Sequence, residues 1–298
     1  VNGFGKHDWL SAFLFALSSG GHRFPWLSLP MALLVSGSLA ALGALVVWER
    51  RHRDPVLPLE LLRRPAIARS NAVVLCFGAA LFATILYTPL FLQLGRGIGI
   101  GASGALLLPI TLAQVTSAAL TGRAVTHTGH VTLFPKIGLS LATLAFLTLA
   151  ITVSFAPVPL VLALMATIGA GLGMVMPPTQ VMVQTAAGRQ SLGIATGTIS
   201  LSRAVGGAIG VAVVGAVLFA QIDVAGDGAA PLLHRAMEGG AAFIATLTSE
   251  QRALLTDRVN AIYRIAFLTM AAFTAIGVLL ALRVPAMRWD DEATPTEE

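Results

Sequence analysis

The sequence predicts an all-α, polytopic membrane helical bundle with seven full spans and one truncated span. Three observations carry that expectation. Of 298 residues, 56% are hydrophobic and 11% charged, whereas soluble domains carry roughly a quarter charged residues. The charges stand at the edges of apolar runs about as long as the ~20 residues a helix needs to cross a bilayer. Within those runs the apolar residues do not alternate with period two, which argues against a β-barrel.

The elements follow in order. Trp9 to Ser18 is apolar but too short to cross, and reads as the end of a span whose start is missing. The chain opens on Val1, carries no signal-peptide pattern, and reads as a fragment. Leu29 to Trp48, Ser70 to Gly95 and Gly97 to Gly122 are three charge-free runs of spanning length. Between Lys136 and Arg189 about fifty residues carry no charge, roughly twice what one span needs. Pro157 and Pro159 in "SFAPVPL" divide this stretch into two helices joined by a tight turn. Ser191 to Ile222 and Ile265 to Leu282 complete the set. Thr248 and Gln251 form a capping-box pattern. Leu254, Leu255, Val259 and Ile262 then share roughly one helical face, so a surface helix is expected to lead into the last span.

Charge placement orients the bundle. The net charge is +5, but the basic residues flank apolar blocks and form no continuous patch, so they read as topology signals and no nucleic-acid partner is expected. Arg50, Arg51, Arg53, Arg63, Arg64 and Arg69 fall on the same side as Arg123, Lys136, Arg189 and the tail. That side is assigned to the cytoplasm of a plasma membrane, with the C-terminus inside. The domain reading is a truncated span and second helix over 1–50, an amphipathic cytoplasmic linker over 51–69, a six-helix bundle over 70–284 with an outer loop at 221–260, and an acidic tail over 285–298.

Catalytic chemistry finds no support. "GIGASG" (99–104) matches G-x-G-x-x-G but lacks the preceding strand and the acid about twenty residues on, so it reads as a turn entering a span. No phosphate loop of the G-x-x-x-x-G-K type and no G-x-S-x-G elbow occurs. His127 and His130 have metal-ligand spacing but no third ligand nearby, and Cys76 is the single cysteine. No metal, cofactor or enzymatic activity is expected.

The polar residues inside the apolar runs are the informative ones. Asn71, Tyr87, Gln93, Gln114, Gln180 and Gln184 are candidates for a substrate cavity, since polar groups in a bilayer face a water-filled path or bond a neighbouring helix. Gly169 and Gly173, and Gly206 and Gly210 beside Gly207, are GxxxG pairs suited to close helix packing. Pro177 and Pro178 should kink or break their helix. Arg203 stands alone in "GTISLSRAVGGAIGVAVVGAV", with no acid three or four residues away. Measured from Ser191 it lies roughly 18 Å along a helix. Two readings stand. Either the span begins at 204 and Arg203 snorkels to the interface, or Arg203 faces a cavity or another helix. No Asp or Glu lies inside any run, so a buried Arg203 needs an acid from elsewhere.

The stretch "LGIATGTISLSRAVGGAIGVAVVGAV" resembles the next-to-last span of the fourteen-span drug:proton antiporters of the major facilitator superfamily. "SSGGHRFPW", "ERRHRDPVLPLELLRRPAIARSN", "LYTPLFLQLGRGIGIGASGALLLP" and "GAGLGMVMPPTQ" resemble other stretches of that family in matching order, covering about residues 11 to 285. "GRAVTHTGHV" echoes the family's loop motif: Gly122 and Gly129 match, Arg123 lies within it, Thr126 replaces the acid, and His127 and His130 stand at basic positions. The resemblance implies a C-terminal half whose N-terminal half is missing, and proton-coupled export of amphipathic compounds by alternating access. Its implied partners are the lipid bilayer, a small-molecule substrate, protons and that missing half. It also implies that Arg203 finds its counter-charge there. A dedicated exporter of one antibiotic or metabolite, and a truncated non-transporting bundle, remain alternatives.

Overall fold

The computed structural model of the chain describes residues 64–188, 191–223, 235–236, 243–244 and 246–284. The chain divides into two units, Val1–Arg63 and Arg64–Glu298, and all the described residues belong to the second.

Among the described residues, the main helices of this unit are α1 (Pro65–Arg96), α2 (Ile100–Ala105), α3 (Leu108–Thr128), α4 (Leu133–Thr152), α5 (Val158–Gly173), α6 (Met176–Ala187), α7 (Leu192–Asp223) and α8 (Ser249–Leu282). By length and composition they make six membrane-crossing spans: α1, α2 with α3, α4, α5 with α6, α7, and α8. The expectation of seven full spans plus a truncated one is therefore corrected to six among the described residues. Trp9–Ser18 and Leu29–Trp48, which supplied the other two, lie outside those residues.

Local chemistry sets the breaks. Gly97 ends α1 in the left-handed region (φ 65°), its N–H returning to the carbonyl of Gln93 and the Ile98 N–H to that of Leu92. The left-handed region is where glycine closes a helix without a steric penalty. Pro157 caps α5 and Pro159 follows at its second position, where a missing N–H costs nothing. Between α5 and α6 the helix is interrupted at Met174 and Val175, with Pro177 and Pro178 just inside the start of α6. The surface helix expected before the last span is continuous with it, because Ser249 to Arg264 contains neither Gly nor Pro. Its start is a capping box: Gln251 N–H donates to Thr248 Oγ1 (3.3 Å), and Thr248 N–H donates to Gln251 Oε1 (3.2 Å).

The packing has an internal repeat. α1 lies along α7 and α8, α3 along α5, and α4 along α5 and α8. Exchanging the first three spans with the last three maps the α1/α7 contact onto the contact between the fourth span and α3. It likewise maps α1/α8 onto α4/α5. Three spans is an odd number, so the second triplet enters the membrane from the opposite face, which makes an inverted repeat.

Small residues let the paired helices meet backbone to backbone. A Cβ on Gly206 or Gly210 would strike the carbonyls of Leu75 and Ala79 on α1, and one on Gly207 would strike the Phe82 ring. On the other pair, a Cβ on Gly169 or Gly173 would strike the carbonyls of Ile110 and Gln114 on α3. Lipid tails are as apolar as leucine, so close van der Waals contact holds such pairs together. Both ends are tied by arginines. Arg64 donates to Ala186 O (2.6 Å) and Arg69 to Arg283 O (2.7 Å) at one end. Arg96 donates to Val153 O (2.8 Å) and Arg264 to Ser154 Oγ (3.3 Å) at the other.

Candidate functional site

Three of the nominated polar residues are held by the bundle. Asn71 is buried between α1 and α7. Its Nδ2 donates to Ile67 O (3.1 Å) and lies 3.5 Å from Thr198 Oγ1, while its Oδ1 accepts from Ser202 Oγ (3.1 Å). Tyr87 donates its hydroxyl to Val211 O on α7 (2.9 Å), where Gly215 makes room for the ring's tip. Gln93 donates Nε2 to Ser103 Oγ on α2 (2.9 Å). Each satisfies a polar group that lipid would leave unpaired.

The other four group differently. Gln184 on α6 donates Nε2 to Thr196 Oγ1 on α7 (3.1 Å), which joins the two helices. Gln180 lies one turn back from Gln184 on α6, and Arg203 two turns beyond Thr196 on α7. Positions four and seven apart share a helix face, so Gln180 lies on the face of α6 that carries Gln184, and Arg203 on the face of α7 that carries Thr196, with the Arg203 backbone against Gly78 of α1. Arg203 is exposed and Gln180 half-buried, and neither side chain makes a hydrogen bond or ion pair among the described residues. Gln114 on α3 is likewise half-buried and unbonded there. Its backbone carbonyl faces Gly173 on α5.

The charge balance around Arg203 is one-sided. Helices α1 to α6 contain no Asp or Glu, α7 has only Asp223 at its end, and α8 has Glu250 and Asp257 in its first turns. Arg203 thus presents a guanidinium well inside α7, which begins eleven positions before it at Leu192, with no acid on α1 or α6, the described helices packed along that part of α7. An arginine in an apolar layer is costly unless it reaches water or meets an anion.

The loop motif forms a helix end. α3 runs through Gly122 and Arg123 to Thr128, and Gly129 closes it with φ 67° and its N–H on Val125 O. His130 Nδ1 sits 2.7 Å from Thr128 O. Among the described residues no group of three His, Cys, Asp or Glu is placed to hold a metal. A depression of 560 Å³ lies on another element, at the start of α8, lined by Leu247, Ser249, Arg252 and Asp257 among others.

Sequence reasoning missed the hydroxyl partners. Ser103, Thr196, Thr198 and Ser202 were only scattered serines and threonines in an apolar run. A usable signal was present: Gln93 and Gln184 each stand four residues before a glycine that ends a helix, with a hydroxyl residue shortly after it.

Comparison with known proteins places this arrangement. The Major Facilitator Superfamily model matches residues 9–211. An uncharacterized MFS-type transporter of Mycobacterium tuberculosis is 28% identical over 95% of this chain and 42% of its own length. A tetracycline resistance determinant of Streptomyces rimosus is 29% identical over 74% of this chain and 63% of its own. The multidrug transporter protein MdtP of Bacillus subtilis is 27% identical over 70% of this chain and 39% of its own. The chain thus spans between about two-fifths and three-fifths of the length of these relatives. The match is to the superfamily as a whole. It replaces the expected assignment to the fourteen-span drug:proton antiporters, and with it the numbering of these helices as that family's C-terminal half. Short stretches in matching order carried the superfamily's common pattern, which does not separate its branches. The superfamily is one of transporters rather than enzymes, and relatives linked to multidrug and antibiotic resistance occur among the matches.

Proposed function

The chain belongs to the Major Facilitator Superfamily, and from that premise we propose that its helices form one wall of an export path for amphipathic small molecules. Export is driven by inward protons through alternating access. The observation that supports this reading is that the Arg203 guanidinium on α7 and the Gln180 amide on α6 make no hydrogen bond or ion pair among the described residues. Gln114 contributes a second unbonded amide on α3. Side chains left unpaired here can meet a substrate, water or facing helices, whereas Asn71, Tyr87 and Gln93 set the helices that carry them.

A second set of helices, opposite this wall, supplies the acid that answers Arg203. A proton taken up by that acid releases the guanidinium, which couples protonation to movement of the wall. The protein sits in the plasma membrane with its C-terminus in the cytoplasm, a reading that rests on the arginine distribution at the two ends. An export path for a single antibiotic is the second reading, favoured by the tetracycline resistance determinant among the relatives.

The test is accumulation of a fluorescent amphipathic cation in cells expressing the intact transporter, with and without a protonophore. Wild type should hold the dye low until the proton gradient collapses. Arg203→Ala should accumulate it at equal membrane expression. Unchanged export by Arg203→Ala would show that the guanidinium only snorkels, and export that ignores the protonophore would end the proton-coupling claim. Export of one resistance compound and of no dye would select the second reading.

A further inference from the structure

The two triplets of spans repeat one device. Gln93, four residues before Gly97 at the end of α1, donates Nε2 to Ser103 Oγ at 2.9 Å. Gln184, four residues before Gly188 at the end of α6, donates Nε2 to Thr196 Oγ1 at 3.1 Å. In both, the glycine N–H returns to the glutamine's own carbonyl (3.0 and 3.1 Å). Both glycines take a positive φ, 65° and 83°, which frees the chain to leave the helix. The first device joins the first and second spans, and the second joins the fourth and fifth. These junctions are equivalent under the internal repeat, and they lie at opposite membrane ends. The sequences around them, "QLGRG" and "QTAAG", share only the glutamine and the glycine.

Each device also lies beyond a weak point of its span. Pro89 inside α1 removes the hydrogen bond to Ile85 O. The fourth span is broken at Met174 and Val175. The segment past each weak point is therefore poorly tied to its own helix axis, and the glutamine ties it to the next span instead.

We propose that these are two matched clips, and that Gln93, Ser103, Gln184 and Thr196 are positioning residues. Each clip couples the terminal segment of one span to the following span, so that the tip at that membrane face moves as one lever. The movement rests on the transporter reading; the coupling of the two spans does not.

Hydrogen–deuterium exchange of the chain in lipid nanodiscs tests this without substrate. Gln93→Ala should speed exchange at Ile100–Leu106 about three- to tenfold, the worth of one net hydrogen bond, and leave Leu192–Thr196 unchanged. Thr196→Val, which keeps the side chain's shape, should do the reverse. Thr196→Ser keeps the hydroxyl and should match wild type. The double variant Gln184→Ala/Thr196→Val should loosen the turn no more than either single change. Unchanged exchange in Leu139–Ala145 guards against global unfolding; a variant that fails it is replaced by Gln93→Met or Gln184→Met, which fills the same volume. Loosening of both turns by one variant, of neither, or equally by Thr196→Ser and Thr196→Val would overturn the proposal. Loss of dye export bears on the transporter reading and leaves these exchange rates unaffected.

Discussion

Replacing Gly210 by alanine adds one methyl group where α7 meets α1. The new Cβ would overlap the carbonyl of Ala79 and crowd its Cα. That backbone belongs to a buried helix and cannot turn aside like a side chain, so the helices must part by roughly 1 Å to restore ordinary contact. Overpacking of this kind costs about 1–3 kcal/mol. Alanine also has the better helix propensity, worth about 0.8–1.0 kcal/mol in the opposite direction, so Gly210→Ala should destabilise by a net of up to about 2 kcal/mol. Gly197 supplies the control. It lies on the same helix, and a Cβ there meets nothing within 4 Å, so Gly197→Ala should gain up to about 1 kcal/mol from propensity alone. One chemical change on one helix thus carries opposite signs. The assay is reversible unfolding by sodium dodecyl sulfate in mixed micelles, followed by circular dichroism. Equal effects at both positions, or a stabilised Gly210→Ala, would refute the claim that backbone contact holds α1 to α7.

Other outcomes follow from the same contacts. Asn71→Ala should destabilise the bundle by about 1–3 kcal/mol, since it strands Ser202 and removes a buried amide network. Gln180→Ala, which breaks no bond among the described residues, should stay within about 0.5 kcal/mol of wild type in the same titration while altering dye export by the intact transporter. Tyr87→Phe should cost about 1 kcal/mol through the lost bond to Val211 O. Thr248→Ala should cost about 1 kcal/mol and speed hydrogen exchange in the first turn of α8, with its last turns unchanged.

Much of this protein was legible in its residues. Composition and charge-free runs announced a helical membrane bundle, because an apolar surface of that extent has no stable home in water. Pro157, Pro159 and Thr248 marked helix ends by local chemistry alone, since a proline ring or a capping hydroxyl acts within one turn. The expected count of seven full spans and a truncated one comes down to six among the described residues, and the family branch failed because short stretches carry only what the whole superfamily shares.

Which polar residues are free was settled by packing. Asn71, Gln93 and Gln180 look alike in sequence, each a lone amide in an apolar run. Asn71 and Gln93 meet hydroxyls carried by helices distant along the chain or across a turn, while Gln180 meets none among the described residues. A hydrogen bond across helices depends on the register in which two backbones slide together. Glycine contacts such as those of Gly206 and Gly210 set that register, and they exist only once the helices have paired. Residue type thus determined that Arg203 would be costly in a membrane, and the tertiary structure decided that its side chain stays exposed, with no ion pair among the described residues.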